Sequence, residues 1–96
     1  MWVENPDSKH ILITGKVQGV GYRAWLVDLA GKMKVMGWTR NRRDGTLEAV
    51  AYGEVENVAA FIEAASKGPA SATVTEVVVS DAGGGEFKTF EIRPPG

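Results

Sequence analysis

Apolar and polar positions alternate in the first patterned stretch, His10–Val17, where Ile11 and Ile13 fall on one side of a strand and His10, Leu12 and Thr14 on the other. From Tyr22 to Met36 the period lengthens. Tyr22, Trp25, Leu26, Leu29, Met33 and Met36 recur at steps of three and four and predict one apolar stripe on a helix, with Arg23, Asp28, Lys32 and Lys34 off it. Trp25 and the two methionines are expected in the core, and Gly37 is expected to stop the helix. Trp38–Arg43 reads as a short strand that reaches Asp44-Gly45, a two-residue hairpin signal, and returns as Thr46–Tyr52. In the return strand Leu47, Ala49 and Ala51 alternate with Glu48, Val50 and Tyr52, and Gly53 ends it. The longer period comes back over Glu54–Lys67, with Val55, Val58, Ala59, Ile62 and Ala65 on the stripe, Glu54 and Glu56 in a first turn that favours anions, and Gly68-Pro69 as the stop. Thr73–Ser80, rich in valine and threonine, is a fourth strand, and the glycine-rich Asp81–Glu86 is a loop. Phe87–Arg93 is the fifth strand, with Phe90 and Ile92 as its inward pair. The two ends are expected to be loose: residues 1–8, from which Trp2 or Val3 could pack on the body, and the tail Pro94–Gly96.

The order is β-α-β-β-α-β with a short added strand. Two helical stripes need a sheet to cover, and right-handed crossovers bring both helices to the same face. The expected fold is therefore α+β: a ferredoxin-like split βαβ sandwich, one domain over residues 1–96, with a mixed, mostly antiparallel sheet open on its other face.

Composition narrows the chemistry. Ninety-six residues suffice for one modest core. The absence of cysteine removes disulfides, thiolate metal sites and thiol nucleophiles, and it fits a reducing cytoplasm; a single histidine cannot build a zinc site. No basic leader precedes a long apolar run, and no segment approaches the roughly 18 apolar residues of a membrane span. With eleven Lys+Arg against twelve Asp+Glu and a net charge of -1, a general affinity for nucleic acid or for anionic membranes is not expected. Any anion binding must be local. Neither cofactor nor metal is expected, and a monomer is the default.

The local anion site is expected at Gly15-Lys16-Val17-Gln18-Gly19-Val20-Gly21-Tyr22-Arg23, where a strand gives way to a helix. Glycine permits positive φ and close approach of backbone N–H groups, while the new helix adds unpaired donors and the positive end of its dipole. Arg23 lies in the first helical turn, and its side chain leans back over the loop mouth. A cation there opposes the dipole unless an anion lies between them, so the stretch reads as a metal-free cradle for one phosphoryl group.

Other readings of the same residues are weaker. Gly19-x-Gly21-x-x-Ala24 has the spacing of a dinucleotide fingerprint, but the chain has no room for a second nucleotide-binding half, and the acidic residue at the right distance, Asp44, belongs to a turn. A Walker loop would need Gly-Lys-Ser/Thr, which is absent. Asn41, at the end of a strand parallel to the first, could stand beside the loop mouth or make only local backbone bonds. Arg40, Arg42 and Arg43 read as a solvated strand end that raises the potential near an anion. His10 reads as a surface residue, and Asp44 and Glu48 receive no catalytic role. A non-catalytic module binding phosphate, acyl phosphate or nucleic acid on the same fold remains the alternative, although the aromatic signature of RNA-binding sheets is missing.

GKVQGVGYR, followed by GWTRNRRDGTLEAVAYG and a late FEI strand, closely resembles the acylphosphatase family over His10–Arg93. Tyr22 stands where phenylalanine is usual and Thr39 where valine is frequent. The resemblance implies the same sandwich and a metal-independent hydrolysis of the carboxyl–phosphate bond of small acyl phosphates, with no covalent intermediate. It implies Arg23 as the phosphate-binding arginine and Asn41 as the residue that orients the attacking water. The backbone of Gln18, Gly19, Val20, Gly21 and Tyr22 would complete the cradle, in which inorganic phosphate or sulfate would also fit. Similar domains occur within larger carbamoyl-transfer proteins.

Overall fold

The computed structural model describes residues 3–96. Trp2 lies outside the described residues, and Val3 is half-buried. The elements run β1 (Pro6–Lys16), α1 (Tyr22–Met33), β2 (Met36–Asn41), β3 (Leu47–Glu54), α2 (Val55–Lys67), β4 (Thr73–Asp81) and β5 (Phe90–Ile92). They form one five-stranded sheet in the order β4-β1-β3-β2-β5. Strand β3 is antiparallel to both β1 and β2, so those two run parallel with β3 between them, and β5 joins β2 in parallel at the edge. This is the expected split βαβ sandwich.

Strand faces follow the sequence alternation. Ile11, Ile13, Leu47, Ala49 and Ala51 are fully buried beneath the helices, and the register pairs Ile11 with Ala49 and Ile13 with Leu47. The helices close this core with Tyr22, Leu26 and Ala30 from α1 and Val58, Phe61 and Ala65 from α2. Alanines on both layers let the helices sit close to the sheet, and Tyr22, Leu26 and Phe61 fill the remaining volume.

The boundaries differ from expectation where backbone pairing outruns the side-chain pattern. β1 begins at Pro6, because Pro6, Asp7 and Ser8 pair with Glu54, Gly53 and Tyr52; the Glu54 carboxylate then accepts the N–H groups of Glu4 and Asn5. Residues 4–9 are thus tied down. So is the tail: Gly96 N–H donates to the Asn41 carbonyl at 3.0 Å, and Arg43 N–H donates to the Gly96 carbonyl at 3.0 Å.

α1 stops at Met33, before Gly37. Lys34 takes the left-handed conformation at φ 59°, and Val35 N–H reaches back to the Ala30 carbonyl at 2.9 Å, a Schellman-type ending secured by burial of Val35. Gly37 belongs to β2, where a Cβ would strike the Val50 carbonyl of β3. The α2 stripe is turned by about one residue: Phe61 is fully buried and packs on Phe90, while Val55 and Ala59 face out. β5 is only three residues long; Phe90 and Ile92 share its helix-bearing face, Phe90 against Phe61 and Ile92 46% exposed at the sheet edge. Among the described residues no helix is long and apolar enough to cross a membrane.

Candidate active site

Gly15 lies within β1, not in the turn. Its φ of 136° accompanies a register shift between β1 and β4, and a Cβ there would collide with the Thr73 carbonyl. The turn itself is made by Gly19 (φ 73°) and Gly21 (φ 78°), both with open space where a Cβ would stand. Their conformation, rather than crowding, demands glycine. Gly21 is also the N-cap of α1, and no side chain caps the helix. The first-turn N–H donors therefore face the loop without a side-chain acceptor.

Arg23 is half-buried and joins no ion pair among the described residues. It lines a cavity of about 170 Å³ together with Val17, Gly19, Gly21, Tyr22, Ala24 and Ile92. An unmatched guanidinium, the positive end of a helix and a loop of backbone donors converge on one small volume, an arrangement that selects a compact anion.

The loop is held from both sides. Ser71 Oγ donates to the Val20 carbonyl at 2.8 Å, and Gln18 Nε2 donates to the carbonyls of Arg42 and Thr46, each at 2.8 Å. Below it, Tyr22 is 1% exposed, its ring edge-on to Trp25, and its hydroxyl donates to the Ala65 carbonyl of α2. Burial raises this phenol from 10.0 to about 12.

Asn41 ends β2 opposite Leu47, on the helix-bearing side of the sheet. Its Oδ1 is buried and has no hydrogen-bond partner among the described residues. Asn41 does not line the Arg23 cavity; the loop and the strand end are linked through Gln18 and the residue after Asn41. The hairpin that follows has a three-residue loop rather than the expected two. Arg42 N–H bonds the Thr46 carbonyl at 2.9 Å, Gly45 N–H bonds the Arg42 carbonyl at 3.2 Å, and Gly45 takes φ 92°. Asp44 Oδ1 accepts both the N–H and the hydroxyl of Thr46, which lowers its carboxyl below the ordinary value.

The arginine run divides. Arg43 is exposed, whereas Arg40 and Arg42 turn to Glu48 on the open face of the sheet, at 2.7 and 3.5 Å. His10 Nε2 lies 2.6 Å from the other Glu48 oxygen, so His10 is not a simple surface residue. Burial alone would raise the Glu48 carboxyl, but the bonds from His10 and Arg40 bring it below its ordinary value. This cluster sits on the opposite face from the cradle. Period-two alternation placed Glu48 there, but only the register reveals Arg40 directly across from it.

The acylphosphatase family model matches residues 9–92. An acylphosphatase of Cupriavidus necator is 49% identical over 88 residues, covering 92% of this chain and 95% of that protein. Among solved structures, an acylphosphatase from Coxiella burnetii superposes with a TM-score of 0.88 at 30% identity, covering 93% and 94% of the two chains. The acylphosphatase of Bacillus subtilis gives 0.85 at 34% identity, covering 90% and 97%. The chain belongs to the acylphosphatase family. It is an enzyme of that class, a hydrolase of acyl phosphates.

Proposed function

We propose that Arg23 and the backbone N–H groups of Gln18 to Tyr22 hold the phosphoryl group of an acyl phosphate while Asn41 directs a water molecule at phosphorus. The observation that carries this reading is the unpaired Arg23 guanidinium over an uncapped helix N-terminus. Arginine gives phosphate two parallel N–H bonds, and the fixed donors stabilise the charge that spreads over the equatorial oxygens. The buried, unbonded Oδ1 of Asn41 supports its role as an acceptor for the water. An amide cannot serve as the base, but it fixes direction.

The water oxygen forms the new bond to phosphorus as the bond from phosphorus to the acyl oxygen breaks. The electron pair leaves on the carboxylate, and the water proton passes to a phosphate oxygen or to solvent. A carboxylate leaving group has a conjugate acid of pKa ~4, so it departs at neutral pH without a general acid. Neither a covalent intermediate nor a metal is required by this route. Inorganic phosphate is the product and would compete for the cradle.

The test is steady-state hydrolysis of benzoyl phosphate in excess EDTA by the wild type, Arg23→Ala and Asn41→Ala. Turnover in EDTA that falls by about 10²–10³ in Arg23→Ala, and that collapses in Asn41→Ala with KM little changed, supports both roles. Unchanged turnover in Arg23→Ala rejects the assignment.

A further inference from the structure

The Gln18 side chain spans the space between the glycine loop and the β2–β3 hairpin. Its Nε2 donates to the carbonyls of Arg42 and Thr46, both at 2.8 Å. A primary amide nitrogen carries two hydrogens, so each carbonyl receives one. The partners also fix the orientation of the amide: turned over, Oε1 would face two carbonyl oxygens with no donor between them.

Those carbonyls belong to the neck of the hairpin. Arg42 and Thr46 close its loop through the bond from Arg42 N–H to the Thr46 carbonyl. Asn41 immediately precedes Arg42, and Gly19, the first positive-φ residue of the turn, immediately follows Gln18. One side chain thus joins the anion loop to the strand end that carries Asn41. The Ser71 hydroxyl, bonded to the Val20 carbonyl, holds the loop to the segment before β4 instead.

We propose that Gln18 is a positioning residue: its side chain sets the separation and angle between the phosphoryl cradle and Asn41, apart from any contribution of its backbone N–H. The inference rests on the hydrolytic roles of Arg23 and Asn41 given above. A brace matters because the cradle lies in the loop before α1 while Asn41 ends β2, and in-line attack tolerates little error; a displacement of about 1 Å can cost about a hundredfold in rate. Phosphate affinity, which depends on Arg23 and the loop amides, is affected much less.

The test compares wild type, Gln18→Ala and Gln18→Met in benzoyl phosphate hydrolysis, inhibition by inorganic phosphate, and amide hydrogen exchange across the loop and hairpin neck. Methionine matches the length of glutamine but donates no hydrogen bond. In both variants kcat is expected to fall by about 10–100-fold, with KM and phosphate inhibition within about twofold of wild type. Exchange is expected to accelerate at the Arg42 amide and through the glycine loop. A kcat in Gln18→Met within about twofold of wild type overturns the proposal, as does KM rising in step with the loss of kcat. Absence of turnover in the wild type would reject the hydrolytic mechanism itself. In that event unchanged exchange in Gln18→Met overturns the brace, and accelerated exchange upholds the link between loop and hairpin.

Discussion

Glu48 and Arg40 stand directly opposite each other on β3 and β2, with Oε1 2.7 Å from Nε, on the sheet face turned away from the helices. The Glu48 residue is 7% exposed, and its second oxygen meets His10 on β1. One carboxylate therefore ties three strands. Removing its charge leaves Arg40 and Arg42 without their shared anion, so Glu48→Gln is expected to destabilise the fold by about 1–3 kcal/mol, with partial solvent access to the arginines keeping the cost below that of a wholly buried pair. Urea denaturation at neutral pH measures it. Turnover is expected to change little, because this cluster lies across the sheet from the cradle.

The same carboxylate sets an acid dependence. Its folded value lies below the ordinary 4.5, so its stabilisation is complete above that value and is lost as pH falls through the folded one, because the unfolded chain takes up the proton first. Wild type is expected to lose stability faster than Glu48→Gln as pH drops from about 6 to 2. Parallel urea midpoints for the two proteins over this range would contradict the linkage.

Tyr22 gives the opposite sign at high pH. Its buried hydroxyl is raised from 10.0 to about 12, so the neutral phenol is favoured in the folded state; stability is full below pH 10 and declines as pH rises to about 12, by about 2–3 kcal/mol. Tyr22→Phe gives up the bond to the Ala65 carbonyl, costing about 1 kcal/mol at neutral pH. Above pH 10 its stability is expected to fall less steeply, so the two denaturation profiles converge. A constant gap between them would show that Tyr22 does not titrate in the unfolding transition.

The end of α1 provides a stabilising change. Lys34 holds a left-handed conformation at φ 59°, where a Cβ costs roughly 1 kcal/mol, and the Schellman geometry asks for glycine. Lys34→Gly is expected to raise stability by about 0.5–1 kcal/mol, with some of the gain offset by the freer unfolded chain. Thermal unfolding would detect it as a rise in Tm, and a fall would mean that the lysine side chain contributes more than its backbone strain costs.

These cases also mark what the chain reveals before it is folded. Periodicity identified both helices and the strands β1, β3 and β5, the Asp44-Gly45 turn pointed to β2 and valine- and threonine-rich composition to β4, and the glycine loop with Arg23 was legible because positive φ and a helix start leave chemical signatures. Where apolar spacing competed with backbone pairing, pairing won: Pro6 to Ser8 join β1 although their side chains carry no pattern. Phe61 was missed because it neighbours Ile62, which the apolar spacing also places on the stripe, and only packing against the sheet shows that Phe61 is the one fully buried. The second role of Gln18, the anchor at Ser71 and the His10–Glu48 contact join residues 24 to 51 positions apart. Polar contacts of that kind have no period to read.

Arg23 permits a sharper test than its removal. Arg23→Lys keeps a positive charge over the helix N-terminus, so the long-range attraction for a dianion survives; what disappears is the planar fork that donates two parallel bonds. If the cradle acted only by attracting charge, the variant would keep most of its activity. If preorganised donors aimed at the equatorial oxygens matter, kcat/KM is expected to fall by about 10–100-fold, short of the loss in Arg23→Ala. Inhibition by inorganic phosphate should weaken less than kcat, because a bound ion tolerates a displaced donor that the transition state does not. The comparison needs only the two variants, benzoyl phosphate and a phosphate titration. Weakened phosphate affinity with kcat unchanged would assign Arg23 to ground-state binding alone and leave charge stabilisation to the backbone of Gln18 to Tyr22.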